Sequence, residues 1–200
     1  YQLTPEEKYL YDQVTNYLTQ RKEEATEEKN IHVTLALAVM QRRLVSSIFA
    51  IKNTLFKRWN ALQGIVDEVN KNPNIWKQRQ KLELVDVDNM DQYDDLEDDE
   101  KDALDNILSD PKKFKLFTTS KSLIEIANEA QEVKRLYDIA NQLYNQNQEE
   151  KKYIQLKELL KSQGVIDGQK LVIFTEHKDT LLYLQERLTN NGYKVAVLHG

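Results

Sequence analysis

Apolar residues recur along most of this chain at steps of three and four, the spacing that places side chains on one face of a helix. Leu10, Val14, Tyr17 and Leu18 form the first such stripe, opened by Thr4, Pro5 and Glu7. Thr4 suits the cap position, Pro5 the first helical position and Glu7 the reciprocal position of a capping box, while Leu3 can staple back onto the helix. This pattern gives an apolar stripe to about Leu18, with the charged run Arg21 to Lys29 expected as a solvated helix end and turn. Leu37, Gln41, Leu44, Ile48, Ile51 and Leu55 make a second buried face, broken only by Gln41. Helix is expected to resume through Trp59 to Val69 and to stop near Asn72-Pro73, because the residue before proline disfavours helix.

Further helices are expected over about Glu97 to Leu108, from Ser122 to Asn145, and from Glu149 to Ser162 with Tyr153, Leu156, Leu159 and Leu160 inward. Gly164 is the expected stop of the last. The texture then changes. Leu171 to Phe174 and Val195 to Leu198 are continuous apolar runs, as in strands buried on both faces, and Lys178 to Leu188 between them has helical spacing. Strand, helix and strand at this spacing predict a βαβ unit. The fold expected is mainly α with a C-terminal α/β piece: a helical, bundle-like region over 1–147, then the truncated start of a parallel α/β domain over 148–200.

Composition adjusts this picture. Five glycines and three prolines among 200 residues favour helices. Without cysteine there is no disulfide or thiolate metal site, and a cytoplasmic location is expected. No apolar run approaches the roughly 20 residues that span a bilayer, so no membrane is expected as a partner. The net charge of −5 is unevenly spread. Asp86 to Asp102 holds ten acidic residues and one lysine, a local charge of −9 that leaves +4 on the remainder. An acidic insert over about 86–102 thus masks a mildly basic protein, which weakens the objection to nucleic acid as a partner. Asp86, Asp88 and Glu97 fall at calcium-loop positions, but Asp91 stands where the turn needs glycine and Met90 replaces a ligand. His32, His177 and His199 are too scattered for a metal site.

The segment Gln169 to Leu181, with Leu171-Val-Ile-Phe-Thr175, and the segment Gly192-Tyr-Lys-Val-Ala-Val-Leu-His-Gly200 resemble the start of the second motor lobe of Swi/Snf-like superfamily-two helicases of the bacterial type. Leu3 to Glu7 and Ala38 to Leu44 are similar to the helical region joining the two lobes. The resemblance implies a RecA-like lobe beginning at about residue 148 and an ATP-dependent helicase or translocase acting on nucleic acid, DNA in the first instance. It also implies a first RecA-like lobe as partner. Thr175, His177, Lys178 and Gly200 become candidate contacts to the nucleic-acid backbone. ATP and magnesium are expected for the whole protein, but no cofactor is expected here, since the chain has no G-x-x-x-x-G-K-[ST] loop to cradle phosphates. The rival reading is a helical protein-interaction or adaptor module with an unrelated α/β end. Arg42, Arg43, Lys52, Lys57 and Arg58 could form a basic helix face for phosphates, and more often such residues pair with acids nearby.

Phosphoryl transfer needs a phosphate cradle and a metal-holding carboxylate, and neither has a candidate in this sequence. The chain alone is expected to release no phosphate from ATP, with or without nucleic acid, in a coupled phosphate assay against a contaminant control.

Overall fold

Thr4 and Glu7 open the first helix in the computed structural model of the chain, which describes residues 2–27, 31–74, 118–146, 149–165 and 169–198. The Glu7 amide donates to Thr4 Oγ1 at 3.1 Å, and the Thr4 amide donates to Glu7 Oε2 at 2.8 Å. This closes the capping box that the sequence predicts. The described residues form six helices in order: α1 (Pro5–Glu27), α2 (Ile31–Ser46), α3 (Ile48–Lys71), α4 (Leu123–Asn145), α5 (Lys151–Ser162) and α6 (Lys178–Asn190). α1 runs nine residues beyond Leu18, so the charged run is helix end as far as Glu27. Ala25 is buried there, and Arg21 pairs with Glu24 one turn on at 2.9 Å.

The long second stripe divides between two helices. Ser47 is extended at φ −159° and its hydroxyl accepts from the Ala50 amide, so a new helix starts inside the apolar pattern. Leu44, Ile48, Ile51 and Leu55 remain buried across the break, whereas Gln41 is exposed. α3 ends at Lys71, as Pro73 predicts. Ser122 caps α4 by accepting from the Glu125 amide.

The strands do not form. Residues 171–174 and 195–198 carry no regular secondary structure, and no strand occurs among the described residues. The expected βαβ start of a RecA-like lobe is therefore replaced by a helix, α6, flanked by two irregular segments. A strand is stabilised by a ladder of backbone hydrogen bonds to a neighbour. Here neither segment makes ladder bonds to the other. Leu171, Ile173 and Thr175 instead join Tyr193 to Val197 in lining a cavity of about 140 Å³ against α5 and α6, while Val172, Phe174 and Leu198 face solvent. Gly164 and Gly192 have φ of +65° and +85° just past α5 and α6, the left-handed helix stop expected of glycine. The acidic stretch 86–102, the helix expected over Glu97 to Leu108, Trp76, His199 and Gly200 lie outside the described residues.

Two cores result. The larger is built by α1 to α4, with α3 on α4 as its broadest contact and Leu10, Val14, Leu55, Leu62, Val133, Leu136 and Ala140 buried in it. The smaller joins Tyr153 and Leu160 of α5 to Tyr183 and Leu188 of α6, and Tyr144 of α4 packs against both. No helix among the described residues is long and apolar enough to cross a membrane.

A buried polar cluster sits inside the larger core. Arg58 of α3 pairs with Glu129 of α4 at 2.6 Å, their side chains 5% and 0% exposed. Tyr17 of α1 donates to the same carboxylate oxygen at 2.9 Å and accepts from Arg58 Nε at 2.7 Å. Thr118 and Ser120 donate to the other oxygen at 2.8 and 2.9 Å. Burial opposes the charge on Glu129, but Arg58, Arg21 and the two hydroxyls outweigh it and hold the carboxyl below its ordinary value of 4.5. Burial also pushes the Tyr17 phenol far up, keeping it a neutral donor.

Removing one partner strands the other charge in the core, so Arg58→Met is expected to destabilise the fold by about 3–5 kcal/mol in urea unfolding. Because the folded carboxyl titrates below the unfolded one, the contribution of Glu129 is present above about pH 4.5 and is lost as pH falls through the depressed folded value. Glu129→Gln should be less stable at neutral pH and should lose less stability between neutral and acid pH than the parent.

Candidate nucleic-acid interface

The loop that carries Thr175, His177 and Lys178 leads into α6 and is placed by α2 and α3. His177 is the N-cap residue of α6, with backbone angles of −106° and 128° and no side-chain capping bond. Neither Thr175 nor Asp179 holds the helix start as a cap. Asp179 turns to α2, where Arg43 Nη1 reaches its carboxylate at 2.7 Å. Arg42 Nη1 reaches Glu176 Oε1 at 3.2 Å, one position before Arg43 and three before Asp179. Beneath these pairs the Thr180 hydroxyl shares hydrogen bonds with Ser46 at 2.7 Å and Ser47 at 3.0 Å.

Carboxylates tie the remaining helix starts together. The first amides of a helix have no partner within it. Glu150 Oε2 accepts from the Ile48 amide of α3 at 2.9 Å, and Glu7 Oε1 accepts from the Lys151 amide of α5 at 2.8 Å. Burial pushes the Glu150 carboxyl up, with the Ile48 amide and the Tyr183 hydroxyl acting against the shift. Aromatic rings fill the space between. Phe49 stacks on Tyr183 at 6.2 Å, Tyr153 meets Tyr183 edge-on at 5.9 Å, and Lys52 Nζ lies 4.2 Å above Tyr144. Burial, with Glu149 adding to it, pushes the Tyr153 phenol up to about 12.

The candidate contacts separate on this geometry. Lys178 is exposed, Thr175 is half-buried, and His177 is buried at 5% exposure, turned away from solvent. Gly200 belongs to the residues not described. The five cations read as a candidate basic face, Arg42, Arg43, Lys52, Lys57 and Arg58, do not act as one. Arg58 is buried on Glu129, Arg43 is shielded on Asp179, Arg42 is on Glu176, and Lys52 is over aromatic rings. The pairing of Glu176 and Asp179 with Arg42 and Arg43 is what sequence reasoning missed. The only signal for it is two acids beside the candidate loop and two arginines on a helix more than 130 residues away.

No protein-family model, no curated protein and no solved structure matches the chain. The described residues hold no cluster of three or more histidine, aspartate or glutamate side chains placed to hold a metal ion.

The two arginine pairs differ in shielding, and this sets an expectation. Arg43 is 6% and Asp179 23% exposed, whereas Arg42 and Glu176 are 37% and 38% exposed. Exposed pairs contribute up to about 1 kcal/mol, and breaking a shielded one costs more. Arg43→Ala is expected to speed amide hydrogen exchange across α6 by about tenfold or more, and Arg42→Ala to change it by less than about fivefold.

Proposed function

We propose that this chain is part of an ATP-dependent, Swi/Snf-like nucleic-acid helicase or translocase in the cytoplasm, supplying nucleic-acid-facing surface and no ATP-binding motif. One observation carries the reading. The two stretches whose residues resemble that family, Ala38 to Leu44 and Gln169 to Leu181, meet directly through Arg42–Glu176 and Arg43–Asp179, pairs 134 and 136 residues apart in sequence. A third such stretch, Leu3 to Glu7, joins the same assembly through Glu7 and the Lys151 amide. Segments that act as one unit in a motor are expected to touch. In this reading ATP and magnesium bind elsewhere in the whole protein, on a lobe bearing the phosphate loop, and this chain serves as a rigid helical connection.

Lys178 and Thr175 are the contacts that the geometry leaves open to a phosphate backbone. Lys178 supplies a charge and Thr175 a hydroxyl, which position the strand without reading its bases. His177 contributes its backbone to the helix start. A second reading, a helical protein-interaction module, draws on exposed Val172, Phe174 and Leu198. A phosphate loop and an arginine-rich Q-x-x-G-R-x-x-R box in the adjoining reading frame would favour the motor, and their absence the module.

Replacing Lys178 by Ala in the whole protein should weaken binding to all nucleic-acid sequences alike and lower the salt slope by about one unit. ATP hydrolysis without nucleic acid should be unchanged. Binding and translocation indistinguishable from the parent across a salt titration would remove this loop from the interface.

A further inference from the structure

The pairing of Arg42 with Glu176 has properties that the Arg43–Asp179 pair beside it lacks. Both of its side chains are more than a third exposed, and their separation is 3.2 Å, against 2.7 Å for the Arg43–Asp179 pair. A guanidinium binds carboxylate and phosphate with the same planar donor fork, so one anion can replace the other on it. An exposed pair of this kind is weak enough to open in water. Opening it need not undock α6, since the shielded Arg43–Asp179 pair and the Thr180 hydrogen bonds to Ser46 and Ser47 stay in place. Exposed Lys178 stands two residues beyond Glu176 on the same loop.

Resting on the nucleic-acid reading above, we infer that Arg42 is a phosphodiester contact occupied by Glu176 in the unbound protein, so that nucleic acid docks by exchanging a carboxylate for a phosphate on this guanidinium. Glu176 then acts as an internal competitor. It weakens binding by the strength of one exposed ion pair and leaves the docking of α6 to its neighbour.

The test is a double-mutant cycle in the whole protein: parent, Glu176→Gln, Arg42→Ala and both together. Fluorescence anisotropy would be read with a labelled duplex DNA, a single-stranded DNA and a single-stranded RNA across a salt titration. Glu176→Gln should bind about fivefold more tightly at low salt, the ceiling for an exposed pair. Arg42→Ala should weaken binding and reduce the salt slope by about one. In the Arg42→Ala background the Glu176→Gln gain should vanish. A gain of the same size with Arg42 absent would mean that Glu176 acts only as a diffuse negative charge, and would overturn the exchange. An unresponsive Glu176→Gln would overturn it too, and if parent binding still depended on Lys178 the nucleic-acid reading would stand. A parent that binds none of the three probes overturns that reading and this inference together. A response confined to DNA or to RNA identifies which backbone makes the exchange.

Discussion

A salt bridge closed to water lies at the centre of the larger core, and the helix packing is organised around it. Arg58 and Glu129 both leave solvent on folding, which is unfavourable for each charge alone. The penalty is offset because Tyr17, Thr118 and Ser120 also donate to the carboxylate or bridge to it. All of these groups must arrive together. The pair therefore sets the register of α3 on α4, fixes the rotation of α1 through Tyr17, and ties residues 118–120 to the bundle. Apolar burial supplies most of the driving force around it, but burial is non-directional and tolerates sliding. A charge pair with every acceptor position used tolerates very little.

The same logic, in a more exposed setting, attaches the C-terminal helices. Carboxylates from one element take the orphan amides at the start of another: Glu7 for α5 and Glu150 for α3. Arginines from the end of α2 take the acids around the start of α6. The aromatic cluster of Phe49, Tyr144, Tyr153 and Tyr183 then fills the space behind these polar contacts. The loop from Thr175 to Lys178 is thus presented on a supported edge rather than on a free tail.

Charge neutralisation within the fold shapes what this edge can do. A linear count of basic residues on α2 and α3 overstates the surface available to a polyanion, because three of the arginines there face acids inside the protein. The depth of each pair divides them into those that hold the fold together and those that can change partner.

Most helices were legible from the sequence alone. The stripes of Leu10 to Leu18 and Leu44 to Leu55, the cap at Thr4, and the stops at Pro73 and Gly164 depend on interactions a few residues apart, and such interactions are written locally. The Ser47 break was hidden because the apolar spacing continues through it. Only the tertiary structure decided the rest. The runs at 171–174 and 195–198 have strand-like composition, yet a strand requires a neighbouring backbone, which composition cannot supply. The roles of Arg58, Arg43 and Arg42 are set by acids 71, 136 and 134 residues away. Burial of His177 likewise follows from how α6 docks. A sequence determines which side chains can ionise and which faces are apolar; the partner each charge meets depends on distances that exist only once the chain has folded.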